Sequence, residues 1–313
     1  ARGDRTGERE VARVVHRHAR RTLHARLHDQ RGGGGGMFGE VRIERRGCDG
    51  DERKAQRLFT DLDGKVDAFG VGGVELYLRL EDREYPLRSG LGLIKNVRKT
   101  PAVDGRGLKH TMEKRVMQMA EPLLDAPIRD RRAFMTLAVD RYGMAQSLAN
   151  AGFDVVFGDL MFGIGLPIPV RGLPALRRLA RVLMPIMGFL PISVLYPTGE
   201  SQEKITPKFE KWYQWGSVVA GDFLYIKRHL PNQLPGKIIV TNTTTAADVE
   251  LLRQRGVGYL ITSTPRIEGR SFGTNMMEAA LTAVAGKGRV LTTAELDDMI
   301  AAAGWQPSVQ KLS

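Results

Sequence analysis

Polar residues with the chemistry of a nucleotide site follow two neighbouring apolar runs near the middle of the chain. The turn DRYG, residues 140–143, follows an apolar run at 134–139, and a second apolar run ends just before Asp159. A strand, a tight turn, a helix, a second strand and a terminal acid are typical of the start of a nucleotide-binding α/β unit. The candidate cofactor-binding residues of this unit are Asp140, Arg141, Gly143 and Asp159.

This unit departs from the usual dinucleotide motif. The glycine fingerprint G-x-G-x-x-G is absent, and only Gly143 lets the backbone approach a phosphate. A βαβ unit that binds no nucleotide is therefore the alternative interpretation. Asp159 also has two interpretations: it accepts hydrogen bonds from a ribose diol, or it caps the next turn.

A second polar turn, TNTTT, follows the apolar run at residues 237–240. Ligands in open α/β sheets bind outside the carboxyl ends of the strands, so we expect this turn at the same sheet edge as residues 140–143. Threonine also caps helices, and capping by Thr244 or Thr245 is the structural alternative. The candidates for cofactor contact in this turn are Thr241, Asn242, Thr243 and Thr244.

The elements around these turns predict an α/β fold. Apolar runs alternate with helical stretches along the chain, which is typical of a mostly parallel sheet. We expect two mostly parallel α/β domains, the second a Rossmann-like doubly wound sheet, at residues 37–128 and 129–313.

Within the first domain the pattern predicts individual elements. Strands are expected at residues 41–47 and 66–73, with a helix at 51–61 between them. Strand-like alternation follows at 75–88. A glycine turn then precedes one long helix that ends near residue 124.

The first 36 residues differ in composition from the rest. They hold nine Arg, no Lys and four acids, a net charge of +5 out of +12 for the whole chain, and they end in five Gly. Such a segment is typical of a disordered arm or of translated upstream sequence. We therefore expect residues 1–36 to stay outside the fold, with the first strand of the sheet missing. A basic arm that binds nucleic acid is the alternative.

The composition and the absence of certain motifs exclude several classes of protein. The single Cys48 excludes an intramolecular disulfide and fits a reducing cytoplasm. The most apolar window, residues 182–196, is interrupted by Pro and Gly and is shorter than the about 20 residues that a spanning helix needs. The sequence shows no His/Cys metal spacing, Walker loop or nucleophile elbow. We expect a cytoplasmic protein without a transmembrane segment or metal site. Its predicted partner is a small molecule rather than nucleic acid, with homo-oligomers an open option.

Three motifs together resemble the shikimate/quinate dehydrogenase family. TPAVDGRGLKHTMEKRV, residues 100–116, looks like that family's Asp-Gly-x-Gly segment. IIVTNTTT is similar to its strand and Asn/Thr turn beneath the nicotinamide, and SFGTNMMEAALTAVAGK is similar to its late helix. The resemblance extends over most of residues 37–287 in element order and suggests a divergent branch of the quinate 5-dehydrogenase kind.

The resemblance implies an oxidoreductase that uses NAD or NADP to oxidise the secondary hydroxyl of a hydroxylated carboxylic acid such as quinate or shikimate. It implies that the first domain binds substrate, with Asp104 and Lys95 as the pair that holds the hydroxyl and transfers its proton. A turn-forming Asp-Gly is the structural alternative for Asp104. The candidate substrate-binding residues are Arg106, Lys109, Asn275 and Glu278.

The sequence also departs from this family's pattern. VDRYGM replaces the family's glycine-rich nucleotide loop, and no lysine aligns cleanly with the family's upstream partner of the aspartate. A non-redox nucleotide- or metabolite-binding α/β protein is therefore the alternative function.

Overall fold

The computed structural model describes residues 11–15, 21–26, 40–48, 50–190, 205–267 and 270–313. Contacts between Cα atoms divide the chain into two compact units, each assembled from segments that are distant in sequence. The first unit comprises Ala1–Leu76, Gly90–Gly107 and Asn275–Trp305. The second comprises Tyr77–Ser89, Leu108–Thr274 and Gln306–Ser313. The sequence had predicted a single cut between residues 128 and 129, so the structure groups residues 108–128 with the later strands.

The first unit contains a five-stranded sheet. Its strands are β1 (Val11–Val15), β2 (Arg21–Arg26), β3 (Glu40–Arg46), β4 (Ala68–Val71) and β7 (Ala102–Val103). They are ordered β2-β3-β1-β4-β7, and only the β2–β3 pair is antiparallel. The predicted strands at 41–47 and 66–73 are therefore confirmed.

Two of these strands come from the Arg-rich leader, so the prediction that residues 1–36 stay outside the fold is wrong for them. Strand β1 is central and runs parallel to both β3 and β4. Its sequence VARVV is rich in β-branched valine, which favours strands, and it needs only five residues to pair. The high arginine content of residues 1–36 made this short valine-rich run difficult to recognise as a strand. The remainder of the leader lies outside the described residues.

Helix α1 (Glu52–Leu62) packs on this sheet as predicted. Asp51 caps it by accepting a hydrogen bond from the Lys54 amide at 3.0 Å. The helix buries Ala55, Phe59 and Leu62, and the Phe59 ring meets Phe69 of β4 edge to face, 5.2 Å between centroids. The other helices assigned wholly or mostly to this unit are α2 (Arg88–Leu93), α11 (Thr274–Ala285) and α12 (Thr293–Ala302).

The second unit contains a seven-stranded, mostly parallel sheet. Its strands are β8 (Arg132–Met135), β9 (Asp154–Phe157), β10 (Val170–Arg171), β11 (Val218–Ala220), β12 (Ile238–Thr241), β13 (Tyr259–Thr262) and β16 (Ser308–Lys311). The order is β10-β9-β8-β11-β12-β13-β16. The five inner strands are parallel, and the edge strands β10 and β16 are antiparallel to their neighbours.

Helices cover both faces of this sheet. The helices are α3 (Arg106–Thr111), mostly in this unit, α4 (Val116–Ala120), α5 (Tyr142–Asn150), α6 (Asp159–Gly163), α7 (Gly172–Met187), α8 (Glu210–Trp215), α9 (Phe223–Arg228) and α10 (Ala246–Gln254). Along β8, Ala133 and Met135 point into the core formed with α5 and α7, whereas Phe134 points into the core formed with α8, α9 and α10. Burial on both faces explains why these strands read as continuous apolar runs.

Two small hairpins complete the second unit. Strands β5 (Tyr77–Leu80) and β6 (Arg83–Pro86) pair antiparallel, as do β14 (Arg266–Ile267) and β15 (Arg270–Ser271). The alternation predicted at residues 75–88 is therefore a hairpin, and its turn includes Glu81 at a φ of 56°.

The predicted long helix after the glycine turn is wrong. The chain instead forms α3, a 3₁₀ turn at Glu113–Arg115, α4 and a second 3₁₀ turn at Glu121–Leu123. The Met117 amide donates to the Ser147 hydroxyl oxygen at 2.9 Å, a contact made with α5. This tertiary hydrogen bond replaces one of the bonds that would continue a helix.

Among the described residues, no helix is both long enough and apolar enough to cross a bilayer. Part of the apolar window at residues 182–196 lies outside the described residues.

Candidate functional site

Polar side chains follow each parallel strand of the seven-stranded sheet at its carboxyl end. Asp159 follows β9 and Asp222 follows β11, each after one intervening glycine, and Asn242 comes directly after β12. The strand order changes direction at β8, since β9 lies on one side of it and β11 on the other. Ligands of open α/β sheets bind at such a switch point, outside the carboxyl ends of the strands. The candidate site therefore lies in the second unit beside β8 and β11.

Arg141 is at the centre of this site. It follows β8 immediately before α5, and only 3% of its surface is exposed. Its Nη1 donates to the carboxylate of Glu113, and its Nη2 donates to Asp222 Oδ2 at 2.7 Å. Its Nε lies 3.9 Å from Asp140 Oδ2. One buried cation therefore joins three acids that are far apart in sequence.

Asn242 is joined to Arg141 through Asp222. The Asn242 Nδ2 donates to Asp222 Oδ2 at 3.1 Å, and Asp222 Oδ1 caps α9 by accepting from the Leu224 amide at 2.9 Å. Lys109 adds a second cation, since its Nζ donates to the Asp140 carbonyl oxygen at 3.3 Å. We call Lys109, Glu113, Asp140, Arg141, Asp222 and Asn242 the Arg141 cluster.

Burial and charge shift the pKa values within the Arg141 cluster in opposite directions. Burial raises the pKa of Glu113 and of Asp140 above the ordinary carboxyl value, although Arg141 and Lys109 oppose the shift in both. Burial also acts to raise the pKa of Asp222, but Arg141 and the Leu224 amide outweigh it and lower that pKa. The pKa of Arg141 rises despite burial because Glu113 and Asp222 stabilise its charge. Arg141 and Asp222 are thus the firmly ionised pair.

Asp159 holds the loop that precedes Arg141. Its Oδ1 accepts hydrogen bonds from the Ala138 and Val139 amides, both at 2.9 Å. Burial raises the pKa of Asp159 to about 7, while these two amides act to lower it. Asp159 therefore supports the β8–α5 loop from within the chain. Contact of its Oδ2 with a ribose diol stays a prediction.

Buried polar atoms without a hydrogen-bond partner are concentrated in this region. Among the described residues they include Glu113 Oε2, Asp140 Oδ1, Arg141 Nε and Asp159 Oδ2. Nearly all buried polar atoms in native proteins are hydrogen-bonded, so a group of exceptions marks a place that water or a ligand can satisfy. About a fifth of the Asp140 and Asp222 side chains is exposed, which gives the site an accessible edge.

Gly143 lies in the first turn of α5, where the strand–turn–helix pattern predicts a phosphate contact. A Cβ at this position would overlap the carbonyl oxygen of Lys109 and lie 3.4 Å from the Lys114 amide nitrogen. The close backbone approach that requires glycine here is thus to the protein's own chain. This packing and the nearby acids do not fit a pyrophosphate bound in the manner of the glycine fingerprint.

Replacing Gly143 by Ala is expected to lower the free energy of unfolding by about 1–3 kcal/mol, because the methyl group has to displace backbone. Urea denaturation at pH 7 would measure the loss. Gly163→Ala is the matched control, since that glycine is helical and nothing lies within 4 Å of the added Cβ. Equal stability of the two variants would contradict the packing at Gly143.

The side chains of the TNTTT turn have different roles: some hold the local structure, and Asn242 belongs to the candidate site. Thr245 caps α10 with Asp248, and Thr244 exchanges hydrogen bonds with Ser271, both at 2.9 Å. The Thr241 hydroxyl donates to the Gly221 carbonyl at 2.8 Å. Asn242 joins the Arg141 cluster as described, and Thr243 Oγ1 is buried without a partner. The capping alternative therefore holds for Thr245, and cofactor contact stays a prediction for residues 241–244.

Several predicted substrate residues are brought together in the first unit. Asp104 is buried, and it accepts hydrogen bonds from the Leu76 amide at 2.7 Å and the Arg106 amide at 3.1 Å. The Gly107 amide donates to Glu278 Oε2 at 2.9 Å, across 171 residues of sequence. Asn275 lies on the same helix as Glu278. The Asp-Gly-x-Gly turn and the late helix thus meet, while Asp104 also serves as a turn-forming residue.

The two predicted lysines have different surroundings. Lys95 is exposed in the turn after α2, and its carbonyl oxygen accepts from Arg98 Nη1 at 2.7 Å. Lys109 is buried and belongs to the Arg141 cluster of the second unit rather than to the unit that contains Asp104. The catalytic role of Lys95 stays a prediction.

Sequence reasoning missed Glu113 and Asp222. Asp222 follows an apolar run of three residues, VVA, which is too short to stand out as a strand. Glu113 lies in the segment that the sequence predicts as one long helix. Asp222 could have been predicted from its sequence pattern, a short apolar run followed by Gly-Asp. The same pattern occurs at Gly158-Asp159, after β9.

Two other features of the described residues bear on possible ligands. A cavity of about 730 Å³ in the second unit lies between the segments around Met117 and Ser147, and none of its lining residues belongs to the Arg141 cluster. The described part of the chain contains no group of three His, Cys, Asp or Glu side chains arranged to hold a metal ion.

Comparison with known proteins gives a family without an assigned activity. Residues 37–104 match the family described as Domain of unknown function (DUF8753), and residues 107–312 match Domain of unknown function (DUF8754). No curated protein matches the chain. One solved structure is similar, a Mycobacterium smegmatis protein crystallised in complex with beta-D-fucofuranose. It has 13% identity and a TM-score of 0.33, over 97% of this chain and 91% of that one. Because the second match spans well over half of the sequence, the chain belongs to the DUF8754 family.

Proposed function

We propose that the protein is an NAD(P)-dependent oxidoreductase acting on the secondary hydroxyl of a hydroxylated carboxylic acid such as quinate or shikimate. The observation that carries this proposal is the order of the second sheet. Numbered within the unit, its strands run 3-2-1-4-5-6 with one added edge strand, which is the order of Rossmann dinucleotide-binding domains. The third strand, β10, departs from that pattern because it is short and antiparallel.

The proposal assigns the cofactor to the switch point in the second unit. Asn242 follows the fifth strand, β12, where the resemblance implies the nicotinamide, and Asp222 follows the neighbouring fourth strand, β11. The packing of Gly143 keeps a pyrophosphate from lying against the first turn of α5 as it does in fingerprint proteins. The dinucleotide would therefore be held by strand-end side chains. When bound, the nicotinamide would accept the hydride.

The proposal assigns the substrate to the Asp104 turn of the first unit. Support comes from the hydrogen bond between the Gly107 amide and Glu278, which joins two motifs that the resemblance implies at the substrate. Asp104 would accept the hydroxyl proton, directly or through a lysine such as Lys95. Arg106 provides a cation near the same turn for the substrate carboxylate.

A second candidate function is non-redox binding of a small metabolite. The observation that favours it is the chemistry beside α5, where Glu113, Asp140 and Asp222 surround Arg141 and no glycine loop is open to phosphate. Acids at this place oppose a pyrophosphate and favour a ligand that donates hydrogen bonds.

Thermal unfolding of the full chain with millimolar NAD, NADP, AMP, ATP, quinate or shikimate would test the proposal. A ligand at 100 times its dissociation constant adds about 2.7 kcal/mol to stability, so the melting temperature is expected to rise with NAD or NADP. Asn242→Leu is expected to remove that rise, and Asn232→Leu, a change at another residue of the second unit, is the control.

A rise with NAD or NADP would then be followed by quinate and shikimate turnover, where Asp104→Asn is expected to lose at least about a hundredfold in rate. Stabilisation by quinate or shikimate alone would favour the metabolite-binding candidate. A chain that melts cooperatively and responds to neither dinucleotide would exclude the oxidoreductase.

A further inference from the structure

Exposed apolar side chains are concentrated in one stretch of the second unit. Of the nine large apolar side chains that are most exposed among the described residues, six fall within residues 164–189. They are Ile164, Leu166, Ile168, Val182, Ile186 and Phe189. Large exposed apolar groups that are close in sequence mark an interaction surface more often than isolated ones do.

Helix α7 has two apolar faces. Leu176, Ala180 and Met184 are buried against the core, as expected for one stripe of an amphipathic helix. Val182 and Ile186 follow the spacing i, i+4 and share the opposite face, and Phe189 lies in the turn directly after the helix; each of the three is more than half exposed. Packing within the unit accounts for the first face, whereas the second face is largely exposed.

The charges beside this exposed face are mostly positive, with one acid, Glu81, whose carboxylate lies 3.7 Å from Arg181 Nη2. Arg178 and Arg181 are exposed on α7 just before Val182, and the Arg88 guanidinium lies 4.2 Å from the Phe189 ring centroid. The sequence from residue 160 to 199 contains four Arg but no Asp, Glu, Lys or His. Exposed apolar side chains flanked by an excess of arginine are typical of helices that lie in the interface of a bilayer with anionic lipids.

We propose that the exposed face of α7 docks the protein on an anionic lipid surface, with Val182, Ile186 and Phe189 entering the headgroup region. Arg178 and Arg181 bind lipid phosphates beside them. The helix lies parallel to the membrane, because its other face is part of the protein core. This docking does not depend on the function proposed above.

Co-sedimentation of the full chain with vesicles tests the proposal. Vesicles of phosphatidylcholine with one quarter phosphatidylglycerol are expected to bind at least about tenfold more protein than phosphatidylcholine alone, and 0.5 M salt is expected to weaken binding. Replacing Arg178 and Arg181 by Gln should reduce binding roughly fivefold per arginine. Ile186→Asp combined with Phe189→Asp should abolish it. These side chains are exposed, so the variants are expected to keep the wild-type melting temperature.

Leu224→Asp is the matched control, because Leu224 is similarly exposed, 54%, on another helix of the same unit. It is expected to bind vesicles like wild type. Equal loss in the control and the α7 variants, or no binding of the wild type to anionic vesicles, would overturn the proposal. A dimer in solution that Ile186→Asp dissociates, without vesicle binding, would overturn it in favour of a second copy of the chain.

Discussion

Replacing Arg141 by Met is expected to lower the free energy of unfolding by about 3–5 kcal/mol, because it leaves buried acids without their cation. The Glu113 side chain has no exposed surface, and Asp222 has 20%. Met keeps most of the side-chain length and apolar packing, so the loss reports the charge and its hydrogen bonds. Urea denaturation at pH 7 would measure it.

Two further variants separate the cluster from an ordinary ion pair. Arg253→Met removes the exposed pair with Glu250 and is expected to cost less than about 1 kcal/mol. Combining Arg141→Met with Glu113→Leu is expected to recover part of the loss, because one buried charge disappears with its partner. If Arg141→Met cost no more than Arg253→Met, the buried cluster would not exist as described.

Between pH 4 and pH 8, the free energy of unfolding of Asp159→Asn relative to wild type is expected to increase by about 4 kcal/mol. Burial raises the pKa of Asp159 to about 7, against about 4 for an unfolded aspartate. Between these values the folded protein keeps a proton that the unfolded chain has lost. The contribution of Asp159 to stability is therefore highest below pH 4, falls as the pH rises to about 7, and is constant above it.

The measurement is the difference in unfolding free energy between Asp159→Asn and wild type at a series of pH values. Glu113 and Asp140, whose pKa values are also raised, give slopes of the same sign, and the difference cancels their contribution. Asn can still accept the Ala138 and Val139 amides through its carbonyl oxygen. The advantage of the variant should grow from pH 4 to pH 8. Asp125→Asn, at an exposed residue whose pKa is lowered by Lys311, is the control and should show no such increase.

These two residues also connect stability with the candidate site. Arg141 and Asp159 both fix the loop between β8 and α5, at the point where the strand order changes direction. A ligand that hydrogen-bonds to the unpartnered oxygen of Asp159 would change its pKa. Repeating the pH series with a ligand that raises the melting temperature would show whether the ligand reaches this residue.

The local patterns of the sequence were sufficient for the α/β class. The apolar runs that became β4, β8, β9 and β12 are continuous because both faces of each strand are buried, and helix α1 follows from its apolar spacing. Local sequence patterns did not predict the strands whose formation depends on pairing with distant segments. Strand β1 carries the composition of a disordered arm, and β11 has only three residues, so each depends on neighbouring strands for its hydrogen bonds.

The candidate site shows the same division between local and distant causes. Position in the sequence was enough to select Asp140, Arg141, Asp159 and Asn242, because polar residues after parallel strands collect at one edge of a sheet. Sequence alone could not show that Glu113 and Asp222 share one guanidinium with them, or that Gly143 packs against Lys109. The types and order of the residues thus determined the fold class and the edge of the sheet where a ligand would bind. Only the tertiary structure determined which residue pairs with each charged side chain, because the energy of an ion pair depends on its burial and on the distance between segments that are remote in sequence.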